Sequence, residues 1–175
     1  MVDRDGRSRR RLTTAVLFIL IVRAEEAFAE DAGRDVSSPQ WKQNPSIARA
    51  IERAASKLSN APCRGVFSDF RDGAGHTLQE NLDGLGLDGL AYLSRTQFYD
   101  GSGRRACASR SILAATSPGS HVVFVCTVQF AAVEHSDPGL AAALLIHEEL
   151  HSLGLGENPP DSKVITAQVI ARCGK

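Results

Sequence analysis

The chain lacks net charge: 20 basic residues balance 20 acidic ones, and no long block of like charge occurs outside the N-terminus. That balance removes the usual electrostatic reason to expect a nucleic acid as partner. It also lacks a long hydrophobic run. The apolar stretch from Leu12 to Val22 is eleven residues, short of the roughly 20 that span a bilayer as a helix. No C-x-x-C pair occurs, which argues against zinc held by cysteines. No internal repeat and no low-complexity tract is present, which excludes solenoids and biased linkers. What is there is ordinary for a folded protein. The 175 residues are 43% hydrophobic and 23% charged, enough for one domain with a sizeable core.

The N-terminus reads as an export signal. Arg7, Arg9, Arg10 and Arg11 precede the apolar stretch, and Ala27-Phe28-Ala29 fits the small-x-small rule for cleavage after Ala29. Residues 1–29 are therefore expected to be a signal peptide, residues 30–43 a flexible lead-in, and residues 44–175 a single domain. Arg23, Glu25 and Glu26 leave an uncleaved anchor as the alternative. No cysteine follows the apolar stretch, which speaks against a lipoprotein. The expected location is secreted or periplasmic, with no membrane contact after cleavage. Cys63, Cys107, Cys126 and Cys173 are an even set in an exported chain, which predicts two disulfides. Four cysteines allow three pairings. Cys63–Cys173 with Cys107–Cys126 is the pairing expected, although a simple hairpin about Ser117–Ser120 would set Cys126 opposite Ser111.

Sequence patterning predicts an α+β fold: a small twisted sheet, a buried helix carrying the site, and flanking helices. Asn44-Pro45 starts an amphipathic helix with Ile47, Ala50, Ile51, Ala54 and Leu58 on one side. Residues 65–70 and 91–99 are expected as strands, and Thr77 as the cap of a short helix. Residues 106–116 and 121–130 are expected to pair across Ser117-Pro118-Gly119-Ser120. Asp137-Pro138 opens a helix rich in alanine and leucine that Gly154 stops. After Asn158-Pro159-Pro160, Asp161 or Ser162 caps a last helix with Ile165, Val169 and Ile170 facing inward.

The penultimate helix contains His147-Glu148-Glu149-Leu150-His151, an H-E-x-x-H sequence. Positions i and i+4 share a helix face, so two imidazoles at this spacing can hold one zinc ion. Glu148, one residue beyond the first histidine, is placed to act as general base on a water acidified by the metal. With five histidines and nine glutamates in the chain, composition alone would produce such a match in roughly one chain in 140. The opposing view is a polar stripe facing solvent. The surrounding apolar helix speaks against it, because burying four such side chains without a role is costly.

Reading on through Gly154 to Glu157 gives H-E-x-x-H-x-x-G-x-x-E. This resembles the zincin metallopeptidases, with spacing similar to the metzincin branch. The resemblance implies His147 and His151 as zinc ligands, Glu148 as the base, Gly154 as the turn and Glu157 as the third ligand. Metzincins usually have histidine at that last position, and they carry a methionine turn downstream. Here the only methionine is Met1 and no glutamate follows Glu157. The stretch from His147 to Pro160 also resembles uncharacterised bacterial secreted proteins. Asp161 and then His135 are the next ligand candidates. His76 and His121 read as ordinary surface histidines, and nothing in the spacing argues for Tyr92 or Tyr99 as oxyanion donors.

The expected function is a secreted zinc metallopeptidase acting on a peptide or protein substrate, with one zinc per chain. In zincins a strand beside the cleft binds the substrate as an added strand, and residues 121–130 are the candidate. The alternative is a secreted binding or structural module whose zinc is not catalytic. Glu148 discriminates them, since a closed structural site takes four protein ligands and needs no base.

Overall fold

A computed structural model describes residues 44–174. The predicted signal peptide and lead-in lie outside the described residues. The first helix, α1 (Pro45–Leu58), begins as its sequence dictates. The Asn44 side chain accepts from the N–H groups of Ser46 and Ile47, and proline occupies the first turn. Its apolar face buries Ile47, Ala50, Ala54 and Leu58.

Two single helical turns follow, α2 (Ala61–Arg64) and α3 (Val66–Asp69). The strand expected over 65–70 is thus helical. Val66, Phe67 and Phe70 are buried while Ser68 and Asp69 are exposed, a one-sided pattern that a helical turn satisfies and an alternating strand does not. A tight turn at residues 72–76 leads to α4 (Leu78–Leu85), closed at its start by a reciprocal capping box between Thr77 and Glu80. Asp88 caps α5 (Gly89–Leu93) through the Ala91 N–H. That local bond turns the first half of the strand expected at 91–99 into helix and leaves only β1 (Gln97–Asp100) extended.

The sheet is small and mixed. β2 is Ala114–Ala115 and β3 is Val122–Val125, in the order β1-β3-β2. β1 runs parallel to β3, and β2 antiparallel to it with Ala114 opposite Val125. The hairpin is therefore much shorter than its sequence suggests. Residues 105–108 form a 3-10 turn, and the chain leaves the sheet at Cys126 to form α6 (Thr127–Ser136). A strand continuing to Phe130 would forfeit the inward placement of both Phe130 and Glu134, which one helix face buries together. The register also differs by two residues from the simple hairpin: Cys126 N–H meets the Leu113 carbonyl, not Ser111.

α7 (Pro138–Ser152) is the central element. Asp137 caps it through the Leu140 N–H, and residues 141–143 and 145–152 are all buried. It packs on α1, on α6 and on α8 (Ser162–Cys173). The alanines at 141–143 and those at 50 and 54, all fully buried, keep these packed faces free of bulk. Ion pairs tie the periphery: Glu134 of α6 to Arg49 and Arg53 of α1, and Asp69 of α3 to Arg172 of α8. Both expected disulfides form, Cys63–Cys173 and Cys107–Cys126. The fold is α+β with a buried central helix, as the patterning predicts. Among the described residues no helix is long and apolar enough to cross a membrane.

Candidate metal centre

The two histidines of α7 meet. One helical turn apart, their rings stand edge to face with centroids 4.8 Å apart, and their Nε2 atoms lie 3.0 Å from each other. Both are buried, at 3% and 5% exposure. Burial, and then the charge of His151, hold the His147 imidazole well below its usual range, at about 4. His147 is therefore neutral at pH 7, the state in which a ring nitrogen can ligate a metal.

The far side of each ring is also engaged. His151 Nδ1 lies 2.8 Å from the Leu155 carbonyl oxygen. A carbonyl only accepts, so this nitrogen carries the proton and donates. With a single proton on the ring, the lone pair of His151 is on Nε2, facing His147. His147 Nδ1 lies 3.0 Å from the Thr166 hydroxyl of α8.

The end of α7 explains how Leu155 reaches His151. Gly154 takes φ +107, a conformation that costs glycine little and other residues much. Its N–H bonds the His151 carbonyl, and the Leu155 N–H bonds the Leu150 carbonyl, the paired bonds of a Schellman stop. The chain thus doubles back and sets the Leu155 carbonyl under the His151 ring. The stop is held from outside by Asn81, whose amide donates to both the Leu153 carbonyl and the Asp72 carboxylate.

Glu148 is 7% exposed. Burial, reinforced by the charge of Glu157 and opposed by the nearby Thr116 backbone, pushes its carboxyl up to about 8. Thr116 follows directly on β2, so the sheet edge lies close to the predicted base. The same segment grips the helix where the Gly119 N–H bonds the His151 carbonyl. Sequence motifs carry no signal for Thr116, for the Leu155 carbonyl or for Thr166. Thr166 was traceable only as a polar residue beside the inward-facing Ile165.

Glu157 is exposed. It lies near enough for its charge to act on Glu148, yet among the described residues no group of three or more histidine, cysteine, aspartate or glutamate side chains gathers at one point. The structure brings His147 and His151 together and sets Glu148 beside them, but does not bring Glu157 onto the pair. Asp161 is engaged elsewhere, accepting from the Lys163 and Val164 N–H groups as the cap of α8. His135 is exposed at the last turn of α6. His76 lies 3.5 Å from Asp72, and the His121 ring lies 5.4 Å from that of Tyr92, tilted by 51°. The Tyr92 hydroxyl donates to the Ser152 carbonyl and that of Tyr99 to Gln97, so both tyrosines are committed within the fold.

The strand expected to receive substrate is corrected. β3 is paired on both sides, so residues 121–130 offer no free edge. The edge nearest α7 is β2. The chain matches no family model, no curated protein and no solved structure.

Proposed function

We propose that the chain is an exported zinc-dependent hydrolase that cleaves peptide bonds, a minimal zincin-like protein. The approach of His147 and His151, Nε2 to Nε2 at 3.0 Å on a buried helix face, carries this reading. The donor set fits zinc: two imidazoles converge, and each is oriented by a partner on its other nitrogen, the arrangement that tunes metal-binding histidines. His147 and His151 would hold the ion, with Glu157 as third ligand after a movement of the segment beyond Gly154. The ion, when bound, would polarise the scissile carbonyl and favour the ionised form of Glu148 that a base requires. Glu148 takes a proton from the attacking water and passes it to the leaving amine. The Thr116 backbone lies near enough to act on that carboxyl, and a peptide adding to β2 would bring its backbone alongside.

One observation favours a second reading, a secreted binding or structural module with a non-catalytic zinc. Glu148 is nearly enclosed, at 7% exposure. Metal analysis and peptide-library cleavage separate the two. The purified protein should carry about one zinc per chain, and His147→Ala or His151→Ala should abolish it. Glu148→Gln should retain zinc and lose hydrolysis, because an amide cannot take the proton. Stoichiometric zinc in both histidine variants removes the site. Zinc without turnover in the parent protein supports the binding module.

A further inference from the structure

Thr166 stands on α8, outside the H-E-x-x-H sequence, with its hydroxyl 3.0 Å from His147 Nδ1. The helix that carries it is anchored at its far end by the Cys63–Cys173 disulfide and by Arg172 and Gln168 on Asp69. Thr166 is therefore held in place by bonds independent of the histidines.

The two rings are not equivalent. With one proton on each, His151 is committed to Nδ1–H by the Leu155 carbonyl. Its Nε2 can only accept. The 3.0 Å contact between the two Nε2 atoms then requires that His147 Nε2–H donates to His151 Nε2. This leaves His147 Nδ1 as an acceptor, which the Thr166 hydroxyl satisfies as donor. A metal bound by both Nε2 lone pairs reverses one side only. His147 must then carry its proton on Nδ1, and Thr166 must accept it. A hydroxyl can do either, because it has one proton and two lone pairs. A carbonyl, as at His151, allows one state alone.

We infer that Thr166 is a positioning residue that lets His147 exchange tautomers, Nε2–H in the empty site and Nδ1–H with the metal in place. The proton count balances: each ring carries one proton before and after, the His147 proton moves from Nε2 to Nδ1 through solvent, and the Thr166 hydroxyl turns from donor to acceptor. His151 enters with its ligating nitrogen already free. This assignment rests on the metal site proposed above.

The test combines zinc titration with imidazole 15N NMR on the full-length protein and on Thr166→Val and Thr166→Ser. In the metal-free parent, His151 should appear as the Nδ1–H tautomer and His147 as Nε2–H, and zinc should convert His147 to Nδ1–H. Thr166→Val, of nearly the same shape, should weaken zinc binding about 10- to 100-fold, the usual cost of losing an orienting partner. Thr166→Ser should restore it. Thr166→Val also removes the donor to His147 Nδ1 in the metal-free protein, so its metal-free melting temperature should fall while that of Thr166→Ser matches the parent. Zinc affinity measured at a temperature where all three are folded separates orientation from packing. If the parent binds no zinc, the metal site itself falls and this role with it. If the parent binds zinc but Thr166→Val binds equally well, or His147 is already Nδ1–H without metal, only the role of Thr166 falls.

Discussion

Glu149 is the residue whose burial is hardest to reconcile with stability alone. It is fully buried, and neither carboxyl oxygen meets a hydrogen-bond donor. Burial, and then the charge of Asp88, raise its carboxyl well above the ordinary value of 4.5. Helical geometry explains its direction: two residues from each histidine, it points to the opposite side of α7, towards Tyr92, whose hydroxyl feels its charge. The sign of the pH effect follows. The unfolded chain ionises Glu149 near 4.5 while the folded chain resists, so stability is fully present below that value and falls as pH rises through the higher folded value. Glu149→Met should therefore stabilise the metal-free protein by on the order of 1–3 kcal/mol, the usual cost of an unpaired buried polar group. The gain should be larger at pH 8 than at pH 5. Urea midpoints at both pH values measure it, and an equal or smaller gain at pH 8 contradicts the ionisation argument.

Helix ends show most clearly how far local sequence reaches. Asn44, Thr77, Asp137 and Asp161 each cap the helix their sequence context predicts, because a cap is a bond between residues two or three apart. Gly154 works the same way at the other end of α7. A Cβ there would sit 3.3 Å from the Asp72 Cβ and at a φ that side chains rarely adopt. Gly154→Ala should cost about 1–3 kcal/mol from backbone strain alone. It should also weaken zinc binding, because the Leu155 carbonyl that orients His151 moves with the turn. Thermal melts and zinc titration of the variant check both. Zinc affinity unchanged alongside a lowered melting temperature would mean that the carbonyl is not needed. Strand boundaries were less legible. Residues 91–93 and 127–130 read as extended from their apolar content, but which face they bury is set by partners far along the chain, and both became helix.

Across the whole molecule the long disulfide closes what the small sheet cannot. Cys63 and Cys173 are 110 residues apart and Cys107 and Cys126 only 19. Loop-closure entropy predicts a loss of about 4–5 kcal/mol on removing the first and about 3 kcal/mol on removing the second. Denaturant midpoints of Cys63→Ser/Cys173→Ser and Cys107→Ser/Cys126→Ser test the order. A larger loss for the short bridge would show that local strain or packing outweighs chain entropy. Both bridges suit an exported protein, and the unreduced, denatured chain should expose no free thiol to labelling.

Sequence alone determined the pair His147 and His151, the capped helix that carries them and the Gly154 stop, while the cysteine pairing, one of three the sequence allows, was decided by the tertiary structure. The i, i+4 spacing and the caps act within a few residues, so their geometry is written locally. Only the tertiary structure decided that Leu155 and Thr166 divide the second nitrogens of those rings. It also decided that the Gly119 N–H bonds the His151 carbonyl and that β2, not β3, is the free edge beside the helix. Those contacts join segments far apart in the chain, as the Gly119–His151 bond does across 32 positions. Their partners are chosen by how α7, α8 and the sheet pack around one core, which no spacing rule encodes.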